Sequence, residues 1–141
     1  VINLSSTEKD ELFEELIETI HSSHPNFNKQ EALDCLNERE AKMTTGIMHS
    51  VAIPHALIPS MHGAIGAIGI SREGIDYDSL DKSPVHIVFM ILFNPDETEN
   101  HLAVLQSLAS FLQDPSFVRQ LLEQTSEDSV FSLLKNFDAG N

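Results

Sequence analysis

Basic side chains are scarce in this 141-residue chain: eight lysines and arginines stand against 22 aspartates and glutamates, a net of −14 with histidine neutral. A surface that acidic is repelled by nucleic acid and by anionic lipid, so neither is expected as a partner and basic protein faces are favoured. Cysteine is nearly absent as well. Cys35 stands alone, which excludes an internal disulfide and suits a reducing, cytoplasmic compartment. No apolar run approaches the length of a membrane span, and the N-terminus lacks the pattern of a signal peptide. Repeats, low-complexity tracts and linkers are missing too. What remains is a composition 41% hydrophobic and 21% charged, ordinary for a globular protein. Its length suits a single domain, 1–141, that buries its own core.

Periodicity divides the chain into helices and strands. Ser5 and Glu8 have the spacing of a capping box, ahead of a helix whose apolar face is Leu12, Phe13, Leu16, Ile17 and Ile20. Asn28 and Glu31 repeat that logic before a second helix to Lys42, with Ala32, Leu33 and Leu36 facing inward and Cys35 beside them, a small core residue rather than a nucleophile. Ile47–Ile53 reads as a short strand or a pair of extended pieces, 64–70 as a small apolar run, and 72–84 as a turn-rich connection. Val85–Phe93 is continuous, β-branched and aromatic, as a strand buried on both faces must be. After Asn94-Pro95-Asp96 come three helical patterns, opened by Thr98, by Asp114-Pro115 and by Ser126. The expected class is α/β (α+β by some schemes), with a mixed central sheet flanked by helices.

The candidate chemistry begins at Val51-Ala52-Ile53-Pro54-His55. Proline has no N–H for a ladder, so it should end a strand or sit at an edge and present His55 at the strand exit. His101 falls in the first turn of its expected helix, where the positive end of the dipole favours a neutral imidazole and can hold an anion. Arg39, in Glu38-Arg39-Glu40, has no evident structural duty and reads locally as a solvated helix-end charge. Together the three suit phosphoryl transfer. A neutral imidazole is a nucleophile near pH 7, and a second imidazole with a guanidinium fork can hold the transferring oxygens. No metal, nucleotide or other cofactor is required if the donor is itself a phosphohistidine. His49, His55 and His62 match no tight zinc-ligand spacing and have no thiolate to assist. His86 opens the apolar strand and reads as structural, while His21 and His24 suit a helix C-terminus.

These segments resemble a known family over nearly the whole chain. Glu38-Arg39-Glu40, Thr45-Gly46-Ile47, Val51-Ala52-Ile53-Pro54-His55, Arg72-Glu73-Gly74-Ile75-Asp76-Tyr77, Pro84-Val85-His86 and His101-Leu102 are similar to the fructose/mannitol-type enzyme IIA domains of the bacterial sugar phosphotransferase system, nitrogen-type regulators included. The separations agree as well, 16 residues from Arg39 to His55 and 46 from His55 to His101. The resemblance implies a three-layer α/β/α sandwich and a phosphotransferase activity. It implies that His55 is phosphorylated by the phosphohistidine of HPr and donates to an enzyme IIB cysteine for sugar uptake. By the same carry-over His101 hydrogen-bonds the reacting ring or the phosphoryl group, and Arg39 neutralises the latter. A fused or docked transporter is a further implied partner. The alternative is a nitrogen-type regulator or sensor domain that acts on a partner through its phosphorylation state. A scaffold that keeps only the fold is disfavoured, because all three residues survive together. Two departures stand out: Met48-His49-Ser50 replace a glycine-bearing turn, and Ala56-Leu57 replace a glycine and a basic residue.

Overall fold

A computed structural model describes residues 4–42, 51–61, 64–77, 82–97, 103, 105–107, 110 and 114–123. Helix α1 (Lys9–Ser23) buries the five apolar residues that its periodicity singled out. Its start departs from expectation. Glu8 is the N-cap and makes no side-chain cap bond, so Ser5 does not cap the helix. Tertiary pairing overrides the local motif: Leu4 N donates to Ile70 O (2.9 Å) and Asp76 N to Thr7 O (2.9 Å), which holds this segment extended along the sheet. The serines instead clasp Glu15, whose carboxylate accepts from Ser5 N (3.2 Å) and Ser6 N (3.1 Å) and from Ser6 Oγ. Helix α2 (Lys29–Lys42) does begin as read. Asn28 Oδ1 accepts from Glu31 N at 3.1 Å, satisfying one of the orphan donors of the first turn.

Strand β4 (Val85–Phe93) is the centre of the sheet. Antiparallel β3 (Ala64–Ile75) covers one edge along nearly the whole of its length. Two short strands, β1 (Val51–Ala52) and β2 (His55–Leu57), pair parallel with β4 in a single register, Val51 with Ile87 through Leu57 with Phe93. Since β3 occupies the other edge and every one of these pairs is 36 residues apart, β1 and β2 lie in one line along the same side of β4. Alternation along β4 sends Val88, Met90 and Leu92 into a core with Leu16, Ile20, Ala32 and Leu36 of the two helices. Ile87, Phe89, Ile91 and Phe93 on the other face are buried too, so the sheet is covered on both sides. That is the α/β arrangement with a mixed sheet.

One further expectation changes. The connection read over 72–84 is shorter, because β3 continues to Ile75, which pairs with Val85 across an irregularity that follows Ile70. Gly74 makes this possible: its φ of 95° lies in the left-handed region, where a Cβ is costly, and its N–H donates to Ser71 Oγ at 3.0 Å. Of the strand read over 47–53, only Val51–Ala52 is a described strand, and residues 43–50 lie outside the described residues. After Pro95–Glu97, a 3₁₀ turn, Ala103, Leu105–Ser107 and Ser110 are helical. Helix α3 (Pro115–Glu123) opens on the expected cap, with Ser116 N donating to Asp114 Oδ1 at 2.9 Å, and Phe117 is fully buried. The helix read from Ser126 lies outside the described residues.

Candidate functional site

Pro54 divides what would otherwise be one edge strand. Lacking an N–H it cannot donate, yet its carbonyl still accepts from Ile91 N at 3.0 Å and keeps the backbone in register. His55 therefore opens β2 rather than trailing β1. It is half-buried, and its Nδ1 lies 2.8 Å from the carbonyl oxygen of Ile53. A carbonyl can only accept, so Nδ1 carries the proton and donates. In the neutral ring the lone pair is then on Nε2. A backbone hydrogen bond thus selects both the tautomer and the ring orientation.

The second wall is α2. Cys35, Glu38, Arg39 and Lys42 recur at the spacing of one helical face and line a depression of about 240 Å³ together with His55, Ala56 and Leu57. Glu31 Oε1 accepts from Ser60 N at 3.0 Å, which ties the start of α2 to the chain leaving β2. Arg39, read locally as a solvated helix end, belongs to this wall. Its neighbour Glu40 turns away and meets Lys9 Nζ of α1 at 3.1 Å. The wall carries both signs. Burial, then the carboxylates of Glu31, Glu38 and Asp34, push the Cys35 thiol up from its usual range, so Cys35 stays a thiol. Arg39 and Lys42 supply the opposing charge. Leu57 stands 39% exposed at the rim, an apolar foothold beside the imidazole.

Arg39 and His55, distant in sequence, are thus brought together. His101 lies outside the described residues, as do His49 and His62. His86 sits near the opposite end of β4 with Nδ1 2.9 Å from Ser71 O, the structural role expected of it. A larger depression of about 330 Å³, lined by Thr7, Gly74, Lys82 and Pro84 among others, lies at that same far end and includes no histidine. The smaller one holds His55 and Arg39 together. Cys35, Glu38 and Lys42 were not singled out as site residues from the sequence. Their i, i+3, i+4, i+7 spacing around Arg39 was the signal that could have found them.

A family model described as "Phosphoenolpyruvate-dependent sugar phosphotransferase system, EIIA 2" matches residues 1–137. The chain is 33% identical over 137 residues to the fructose-specific EIIABC component of Bacillus subtilis, covering 97% of this chain but only 22% of that protein. It is 36% identical over 107 residues to the fructose-specific EIIA component of Haloferax volcanii, 76% of this chain and 70% of that one. The crystal structure of the nitrogen regulatory protein IIA-Ntr from Neisseria meningitidis superposes with a TM-score of 0.87 at 30% identity, over 94% of this chain and 90% of that one.

Proposed function

Because the chain belongs to the EIIA 2 family of the phosphoenolpyruvate-dependent sugar phosphotransferase system, we propose that it is a phosphocarrier whose acceptor atom is Nε2 of His55. The observation that carries this is the bond from Nδ1 to the Ile53 carbonyl, with Arg39 on the α2 wall of the same depression. The lone pair of Nε2 attacks phosphorus in line with the donor's P–N bond. One P–N bond forms as the other breaks, and no proton leaves the ring, because Nδ1 keeps its proton and donates it in the hydrogen bond to the Ile53 carbonyl. As the ring gains positive charge, that carbonyl stabilises it. The Arg39 guanidinium takes two phosphoryl oxygens in its fork, and His101 orients the same group. The donor is the phosphohistidine of HPr. The acceptor is an enzyme IIB cysteine, whose thiolate forms the P–S bond as P–N breaks. The Bacillus relative, named as an EIIABC component, supports a IIB partner in sugar uptake.

Incubation with enzyme I, HPr and phosphoenolpyruvate should add one acid-labile phosphoryl group that His55→Ala abolishes. An unchanged mass with active donors would sink the reading. The likeness to the Neisseria nitrogen regulatory protein favours a second reading, a regulator that changes a partner through its phosphorylation state. Mixing the labelled protein with fructose-class IIB domains separates the two. A carrier passes its label on, whereas a regulator keeps it.

A further inference from the structure

We propose, resting on His55 being the phosphorylated residue, that Lys42 is a second cation for the phosphoryl group and shares its charge with Arg39. Lys42 closes the stripe of α2 that lines the depression, one turn beyond Arg39. It is exposed, and among the described residues it makes no ion pair. Its four-carbon stem can therefore swing over the imidazole.

Three features of the pocket call for a second cation. The wall is the last two turns of α2, and a helix C-terminus carries partial negative charge that opposes an anion. Glu38 stands on the same wall, so Arg39 alone leaves the lining neutral, and Lys42 brings it to a net of one positive charge. The strand side adds none, since Ala56 and Leu57 follow His55. A phosphoryl group brings about 1.5 to 2 negative charges. Besides burial, the carboxylates of Glu31, Glu38 and Asp34 act against a thiolate at Cys35 on this face. They would act likewise against a phosphoryl dianion.

The test compares wild type, Lys42→Gln, Lys42→Arg and Lys29→Gln. Lys29, at the other end of α2, pairs with Glu18 at 3.0 Å and controls for the same change in net charge. The readouts are the phosphorylated fraction at equilibrium with phospho-HPr and the hydrolysis rate of the isolated phosphoprotein. Lys42→Gln should lower the equilibrium ratio and speed hydrolysis by about three- to five-fold, the scale of an exposed charge pair. Arginine should restore both, Lys29→Gln should match wild type, and the deficit should shrink at high salt. A labelled wild type with Lys42→Gln indistinguishable from it overturns this proposal and leaves the carrier reading standing. An unlabelled wild type overturns the carrier reading, and this proposal with it.

Discussion

Replacing Glu40 by glutamine removes the carboxylate that Lys9 Nζ meets at 3.1 Å, in a pair whose side chains are 7% and 21% exposed. At an effective dielectric constant of about 20, unit charges at that distance attract by roughly 5 kcal/mol. Desolvation of both groups offsets most of it. Lys9 keeps the face of Tyr77, whose ring centroid is 4.7 Å away, a contact of about 0.5–1 kcal/mol, and its partial exposure lets water replace the lost partner. The net cost should be about 1–2 kcal/mol, between an exposed pair and a fully buried one. For a chain of this size that lowers the unfolding midpoint by roughly 3–8 °C. Glu38, two residues earlier, lines the depression instead. Glu38→Gln should leave stability nearly unchanged and lengthen the lifetime of the phosphohistidine, because it removes negative charge from the wall. Urea titrations of the two variants, fitted with a common m-value, run beside phosphohistidine hydrolysis, decide the matter. Equal destabilisation by both substitutions, or an unmoved midpoint for Glu40→Gln, would refute the assignment of the two carboxylates.

Glu15 supplies a pH test. Burial alone would raise its pKa, but the Ser6 hydroxyl and the N–H groups of Ser5 and Ser6 outweigh it and hold the carboxyl below the ordinary value. Its stabilisation is therefore complete above the unfolded value of about 4.3 and is lost as pH falls through the folded one. Glu15→Gln should cost about 1 kcal/mol at pH 7, and the gap from wild type should close in urea titrations as pH drops below 4. Gly74→Ala forces φ 95° on a residue whose Cβ would lie 3.0 Å from Pro84 Cβ and 3.1 Å from His86 Cε1. After the unfolded-state gain it should destabilise by about 2 kcal/mol, read as a lower urea midpoint with phosphorylation intact. Leu36→Ala, at a site 1% exposed in the core between α2 and the sheet, should cost about 2–5 kcal/mol. Leu57→Asp should slow transfer from HPr with little change in the unfolding midpoint; an unaltered initial rate would remove Leu57 from the docking face.

The inner faces of α1 and α2 and the run 85–93 were legible because burial writes a period into the residues themselves, 3.6 for a helix and near-continuous apolarity for a doubly covered strand. Asn28 and Asp114 were legible as caps because a cap bond closes within three residues. Ser5 was not. Its competitor, the pairing of residues 4–8 with β3 and Asp76 beyond it, joins segments 66 to 69 residues apart. The length of β3 escaped for a similar reason, since its last pair depends on Gly74 adopting a left-handed turn.

Composition and local spacing were enough for the α/β class, for the acidic balance that favours basic partners, and for naming Arg39, His55 and His101 as candidates, since each is written in residue types and short intervals. Tertiary structure alone decided which ring nitrogen of His55 holds the lone pair, because that depends on where the Ile53 carbonyl lies. It also decided that Arg39 and Lys42, not Glu40, share the wall beside that ring. Adjacent residues on a helix face about 100° apart, and only the packing of α2 against β2 and α1 says which of them looks at the histidine.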